Sequence, residues 1–247
     1  MFKSLSFWFL VGAIMVFNSC GEPAVDWQEA RTGAGEQKSI TLADGSTAYL
    51  NENSMLKYPV EFTQKQRNIE FKGMAFFDVQ KNEKPFVITT EHERVKTNTA
   101  AQFQVNEREA PTSTSVNVVA GGVTLETLQE EGKIELTQGV KGIFEWEQKK
   151  LQQIHSATPS DMFWHTQRLY FKELPMSRVL DDLKNVFGTE ISISNTDLLK
   201  CRFSYEANNP TITDVLEAFE KEFGSKVYKE SETFYSLIGG SCEQANN

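Results

Sequence analysis

Polar and apolar positions alternate through the first half of this chain and change period in the second. From Gln37 to about Glu147 the repeat is two. Ser39-Ile40-Thr41-Leu42 leads through Ala43-Asp44-Gly45-Ser46 into Thr47-Ala48-Tyr49-Leu50, and Asp-Gly between alternating runs predicts a hairpin or tight turn because it supplies a residue at φ > 0. Further short runs follow at Asn68–Lys72, Ala75–Val79, Pro85–Thr89, Gln102–Val105, Val116–Val119 and, after Gly121-Gly122, Val123–Glu126. Runs this short, mostly bounded by Gly, Pro, Asn or Asp, predict an all-β module over 37–147. Residues 148–163 are mostly polar, include Pro159, and read as a linker or mobile arm.

Beyond Trp164 the chain repeats itself at an offset of 36 residues: Val179-Leu180 to Leu183, then Phe187-Gly188, matches Val215-Leu216 to Phe219, then Phe223-Gly224. Val179, Leu180, Leu183, Val186 and Phe187 share one helical face, as do Ile212, Val215, Leu216, Phe219 and Phe223. Thr211 with Asp214 predicts a capping box, and Gly188 and Gly224 stand where a helix closes in the left-handed conformation. Alternating runs flank each helix (168–171, 190–194, 201–205, 225–228 and 233–238). The expectation over 164–242 is a pair of βαβ-like units, with both helices on one face of a small sheet, and 243–247 as a tail.

The first residues bear on compartment. Lys3 precedes thirteen uncharged residues, Leu5–Phe17. That run is shorter than the about 20 apolar residues needed to span a bilayer and fits the core of a secretory signal peptide. Asn18-Ser19-Cys20-Gly21 then resembles the lipobox of bacterial lipoproteins, with 1–19 as signal peptide, Cys20 as the lipid attachment site and 20–36 as the tether. An ordinary signal peptide or an uncleaved anchor, with Cys20 incidental, is the other reading. In an oxidising compartment Cys201 and Cys242 form a disulfide worth about 4 kcal/mol of chain entropy at most; two unpaired thiols are the alternative.

Composition narrows the chemistry. Thirty-four acidic against 25 basic residues give a net charge of −9, which disfavours nucleic-acid binding because phosphate contacts need clustered Lys and Arg. Three His and three Cys in all leave little material for a metal site, and His92, His155 and His165 share no ligand spacing. Asp181-Asp182 reads as a solvated helix face rather than paired catalytic carboxylates. No nucleophile elbow, phosphate loop or zinc-protease motif occurs. The expectation is no enzyme, no cofactor and no metal.

The remaining marks resemble the FecR family of periplasmic transducers in bacterial transenvelope signalling. They are Leu42-Ala43-Asp44-Gly45-Ser46 with Tyr49-Leu50-Asn51, Ser54, Leu56-Lys57-Tyr58-Pro59, Gly73 to Val79, Lys84-Pro85-Phe86-Val87 and Phe103-Gln104-Val105. The second half, from Phe163-Trp164 through Leu169-Tyr170-Phe171 and Leu174-Pro175 to Ile238-Gly239, is similar to the family's C-terminal domain. That domain is in turn similar to the signalling domain of TonB-dependent receptors. The resemblance implies an α+β protein of two domains, a solenoid-like all-β module followed by the small βαβ-repeat domain. It also implies a partner, the signalling domain of a receptor or another transducer. Where the family carries Gly-Thr ahead of its Phe-x-Val strand this chain has Ala100-Ala101, so the turn there is built differently. The signal peptide stands where family members have a cytoplasmic anti-sigma segment and membrane helix, so the expectation is an extracytoplasmic half that does not itself hold a sigma factor. The strand 233–238, with Phe234 and Tyr235, is a candidate sheet edge for partner binding, its aromatics being equally suited to a core. A lipid-anchored scaffold binding glycan or another ligand through the β module is the competing function, and a decoy or oligomer subunit for longer family members is a third.

Overall fold

The first unit has fourteen strands, most of them the alternating runs, in a computed structural model that describes residues 25–110, 112–129, 132–154 and 159–242. In order they are β1 (Trp27–Arg31), β2 (Lys38–Thr41), β3 (Thr47–Leu50), β4 (Met55–Pro59), β5 (Arg67–Lys72), β6 (Met74–Val79), β7 (Phe86–Thr89), β8 (Glu93–Thr97), β9 (Ala101–Ala110), β10 (Ser113–Ala120), β11 (Gly122–Thr127), β12 (Lys133–Thr137), β13 (Lys141–Glu145) and β14 (Lys150–Ile154). One sheet runs β1-β4-β5-β7-β8-β11-β12 and the other β14-β13-β10-β9-β6-β3-β2. Strand number rises steadily across each sheet, so the chain passes back and forth between two layers while advancing along one direction. All neighbours are antiparallel except β5 and β7. Alternate residues of both sheets, among them Leu50, Ile69, Phe77, Phe86, Phe103, Val116 and Leu125, meet in one core.

Two expected boundaries are corrected. The tether does not extend to residue 36, because β1 pairs antiparallel with β4 from Trp27 opposite Pro59 to Arg31 opposite Met55 and buries Ala30. Its single inward apolar side chain was too little to show as an alternating run. The linker is likewise structured at both ends. β14 pairs with β13, and a 3-10 turn over Pro159–Met162 buries Met162.

Family motifs find physical explanations here. Asp44 does more than turn the β2–β3 hairpin, whose Gly45 has φ +81°. Its carboxylate accepts from the backbone N–H and hydroxyl of Ser46 and pairs with Arg67, whose side chain is 1% exposed. Arg67 also donates to the carbonyls of Lys84 (2.9 Å) and Gln80 (3.1 Å). One sheet's hairpin is thereby tied to the other sheet's β5 by a desolvated ion pair that is costly to break. Gly73 has φ +107°, and a Cβ there would meet Ser54 Oγ at 2.6 Å and Ser54 Cα at 2.8 Å. The Ala100-Ala101 turn is accommodated from across the sheet, since Gly121 leaves room where a Cβ would lie 2.4 Å from the Ala100 carbonyl.

The second unit starts with α1 (Phe163–Thr166) and continues through β15 (Arg168–Pro175), α2 (Met176–Phe187), β16 (Glu190–Ile193), β17 (Arg202–Asn208), α3 (Ile212–Phe223), β18 (Ser225–Lys229) and β19 (Phe234–Gly239). Its strands do not make the single sheet expected. β15 pairs with β17 in a two-stranded sheet, and β16-β19-β18 form another. α2 touches β15, β16 and β17. α3 packs on β18 and, through Phe219 and Phe223, on Phe203 of β17 at ring separations of 4.8 and 5.9 Å. Both helices therefore contact both sheets, and periodicity, which reports faces but not partners, could not separate one sheet from two. Thr211 and Asp214 form the capping box of α3, and Gly188 and Gly224 close their helices at φ +64°. Cys201 and Cys242 are joined by a disulfide with Cα atoms 5.4 Å apart.

Glu93 is the most deeply buried carboxylate of the β unit, fully shielded from solvent. Its Oε1 accepts from the Thr90 hydroxyl at 2.7 Å, the Thr114 side chain lies within its reach, and the burial outweighs both. Burial, reinforced by the Glu107 charge, pushes its pKa from 4.5 to about 7. The folded state thus holds a proton that the unfolded chain releases, so stability is full below pH 4.5 and is lost as pH rises through about 7, by about 3 kcal/mol. Urea unfolding of wild type is expected to show that fall between about pH 4.5 and 7, and Glu93→Gln to flatten it; a variant with the same slope as wild type would contradict the assignment.

Candidate functional site

The second sheet of the β unit carries a straight row of outward residues. Tyr49 lies opposite Phe76, Phe76 opposite Gln104, Gln104 opposite Asn117, and Asn117 opposite Lys141. Directly opposed residues point to the same face, so the row crosses β3, β6, β9, β10 and β13 on the side away from the core. The segment entering the second unit lies along it. Asp161 accepts from Asn117 Nδ2 at 3.3 Å and stands 3.6 Å from Lys141 Nζ. Trp164 Nε1 donates to Gln104 Oε1 at 2.5 Å. The His165 ring sits 4.5 Å from both Phe76 and Tyr49, nearly parallel to Phe76. Five residues of chain thus engage five strands, and Phe76 is buried although it faces away from the β core.

Asp182 corrects the expectation of a solvated acidic pair. It is 8% exposed, and its carboxylate accepts from Ser160 Oγ at 2.8 Å, which holds α2 to the turn before α1. Of the histidines, His165 belongs to this junction, His92 packs against Trp146 with ring centroids 4.3 Å apart and tilted by 32°, and His155 lies outside the described residues. One signal of the junction was present in the sequence. Ala75, Phe76 and Phe77 are consecutive and all buried, and a strand apolar on both faces has to be covered on both.

A second surface belongs to the three-stranded sheet. β19 is its central strand, not an edge, and Tyr235 is 8% exposed in the core; both findings correct the expected partner-binding edge. The misreading arose because the chain-terminal strand inserts between β16 and β18 through a parallel pairing with β16. Phe234 does face outward, at 37% exposure, with Ile238 at 46% and, on β18, Tyr228 at 51%. Of the sheet's two edges, β18 gives its Val227 amide to Glu220 Oε1 at 2.7 Å, which leaves β16 as the open one. Glu190 and Ser194 donate to β19-side carbonyls at 2.8 and 2.9 Å, so the two-residue alternation turns the amides of Ile191 and Ile193 away from β19. Beside that edge runs a groove of about 390 Å³ lined by Leu180, Asp181 and Lys184 of α2, Ile191, Leu199 and Phe234.

Among the described residues no three His, Cys, Asp or Glu side chains cluster to hold a metal ion, and no helix is long and apolar enough to cross a membrane. Cys20 lies outside the described residues.

Burial lowers the His165 pKa below its ordinary 6.5. The unfolded chain then binds the proton more readily, so what the neutral ring contributes is full above pH 6.5 and is lost as pH falls below it. Tryptophan fluorescence is expected to report loosening of the junction on acidification, and His165→Phe, which keeps a ring on Phe76 without a titrating group, is expected to shift that change to lower pH. An identical acid transition in the variant would contradict this.

Comparison with known proteins agrees with this two-unit architecture. Residues 28–124 match the family model described as FecR protein, and residues 168–235 match that described as FecR, C-terminal. Two crystal structures of a protein from Parabacteroides distasonis ATCC 8503, described as a candidate anti-sigma factor, share the fold. The 1.65 Å structure is 28% identical with a TM-score of 0.57, and the 2.50 Å structure 27% identical with 0.56. Each comparison covers 87% of this chain and 100% of the other. No curated protein matches the chain. The two matched segments follow each other in the order of the β unit and the helical unit, and together take in most of the chain, which therefore belongs to the FecR family of envelope-associated regulators.

Proposed function

We propose that this protein is an extracytoplasmic signal transducer that works by binding another protein through its C-terminal unit. The partner is the periplasmic signalling domain of a TonB-dependent receptor or the corresponding domain of another transducer. The free β16 edge beside its groove carries this reading. An extended strand laid there gains main-chain hydrogen bonds from Ile191 and Ile193 and buries side chains in the groove. Phe234, at the groove and on the outer face with Ile238 and Tyr228, supplies the apolar anchors that dominate such interfaces. The description of the Parabacteroides structures as a candidate anti-sigma factor supports a signalling role, of which this chain's share would be the contact made outside the cytoplasm.

The N-terminal reading completes the proposal. Residues 1–19 direct export, Cys20 takes the lipid, and the few residues up to β1 hold the β unit close to the membrane. No chemistry is assigned to the chain beyond binding.

Two experiments test these points. The mature chain titrated against the signalling domains of the host's receptors is expected to bind at least one, and Phe234→Glu with Ile238→Glu to weaken that complex by roughly a hundredfold, ~2.7 kcal/mol, with unchanged circular dichroism. Binding to none, or undiminished binding by the double variant, would overturn the docking site. Metabolic palmitate labelling is expected for wild type and absent in Cys20→Ala; labelling that persists would remove the anchor from the account.

A further inference from the structure

An open edge strand is a template for pairing with another strand, and proteins guard such edges with charged side chains, above all Lys, with Pro, or with bulges. β1, β2, β12, β14, β15, β17 and β18 lie at sheet edges, and each carries a Lys or an Arg. β16, Glu190-Ile191-Ser192-Ile193, carries neither. Its one charge, Glu190, stands at the strand's end and is paired with Lys184, and no bulge interrupts its ladder with β19. Its sequence has a second property, since Ile191-Ser192-Ile193 reads the same in both directions.

Main-chain geometry makes that symmetry usable. Glu190 and Ser194 bond towards β19, so Ile191 and Ile193 turn both their N–H and their C=O groups to the open side. In an antiparallel pair centred on Ser192, Ile191 of one copy stands opposite Ile193 of the other and exchanges both main-chain bonds with it. A twofold axis generates the second such pair and closes the arrangement. The side chains agree with this register. Ile191 and Ile193 are half-buried and pack against the core of the unit, so each extends the other's cover on the helix side. On the outer face Ser192 meets Ser192 and Glu190 meets Ser194, so no two like charges are directly opposed. The end of α2, with Asp181 and Lys184, comes towards the second copy's turn Thr196–Lys200, with Asp197 and Lys200, which sets an acid and a base on each side.

We propose that two copies of this chain pair edge to edge through β16, about a twofold axis at Ser192, and so join their three-stranded sheets into one continuous sheet. The palindrome, the outward amides and the missing guard charge carry the inference. Its consequence for regulation rests on the function proposed above: a copy seated on β16 has to leave before a partner's strand can take the edge, so self-pairing holds the chain unresponsive until a partner competes.

The test is sedimentation equilibrium of the mature chain carrying Cys20→Ala, which removes the thiol outside the Cys201–Cys242 disulfide, with no receptor domain present. A reversible monomer–dimer equilibrium is expected between about 1 and 500 µM. Ser192 is exposed on the outer face, so Ser192→Lys and Ser192→Glu are expected to leave circular dichroism unchanged. Each sets like charges against each other at the axis and is expected to weaken the dimer at least roughly tenfold, and an equimolar mixture of the two to restore it. A chain that stays monomeric throughout, a dimer unmoved by both variants, or a mixture no more associated than either variant alone would overturn the proposal. None of those results touches the receptor titration, which is decided by its own complex.

Discussion

The row Tyr49, Phe76, Gln104, Asn117 and Lys141 is the constraint on which the two-unit architecture rests. A β-sandwich has one inner face per sheet, and its outer faces are normally wet. Here the outer face of one sheet is covered along a line perpendicular to its strands by the chain that leads into the second unit. The contacts differ in kind along that line. A carboxylate meets an amide and a lysine, an indole N–H meets a buried amide, and an imidazole lies on two aromatic rings. Sliding the segment by one residue would place each group against the wrong partner, and that gives the junction its register.

The β unit beneath has to be stiff for such a row to be straight. Stiffness comes partly from an apolar core shared by both sheets and partly from polar ties between them. Arg67 and Asp44 carry their charges almost wholly out of water, an arrangement that adds little net stability but penalises any state in which one partner is lost. Close backbone approaches at Gly73 and Gly121 leave no room for a side chain at either position. The Leu42-Ala43-Asp44-Gly45-Ser46 stretch is therefore both a turn and one half of a clamp between layers.

Much of this was legible in the sequence because alternation and helical spacing report which face of an element is apolar. The β2–β3 hairpin, the faces of α2 and α3, the capping box at Thr211 and the closing glycines all follow from local rules. What was not legible depends on partners distant in the chain. β1 shows one buried alanine and pairs only because β4 is available. β19 is central because β16 reaches it in parallel from the preceding repeat. Asp182 looks like a surface acid until the turn at Ser160 folds over it. The junction was half visible, in the doubly apolar Phe76-Phe77, but its polar members Gln104 and Asn117 carry no local mark of being covered.

Membership of the FecR family supplies the functional setting, and the junction supplies a way for the two halves to act together, since a unit held in register presents its β16 edge at a defined place relative to the β sandwich. The most direct test of that rigidity is residual dipolar couplings measured on the mature chain in one alignment medium. A single alignment tensor fitting the amides of both units is predicted. Two different tensors, each fitting one unit alone, would mean that the row does not hold them together.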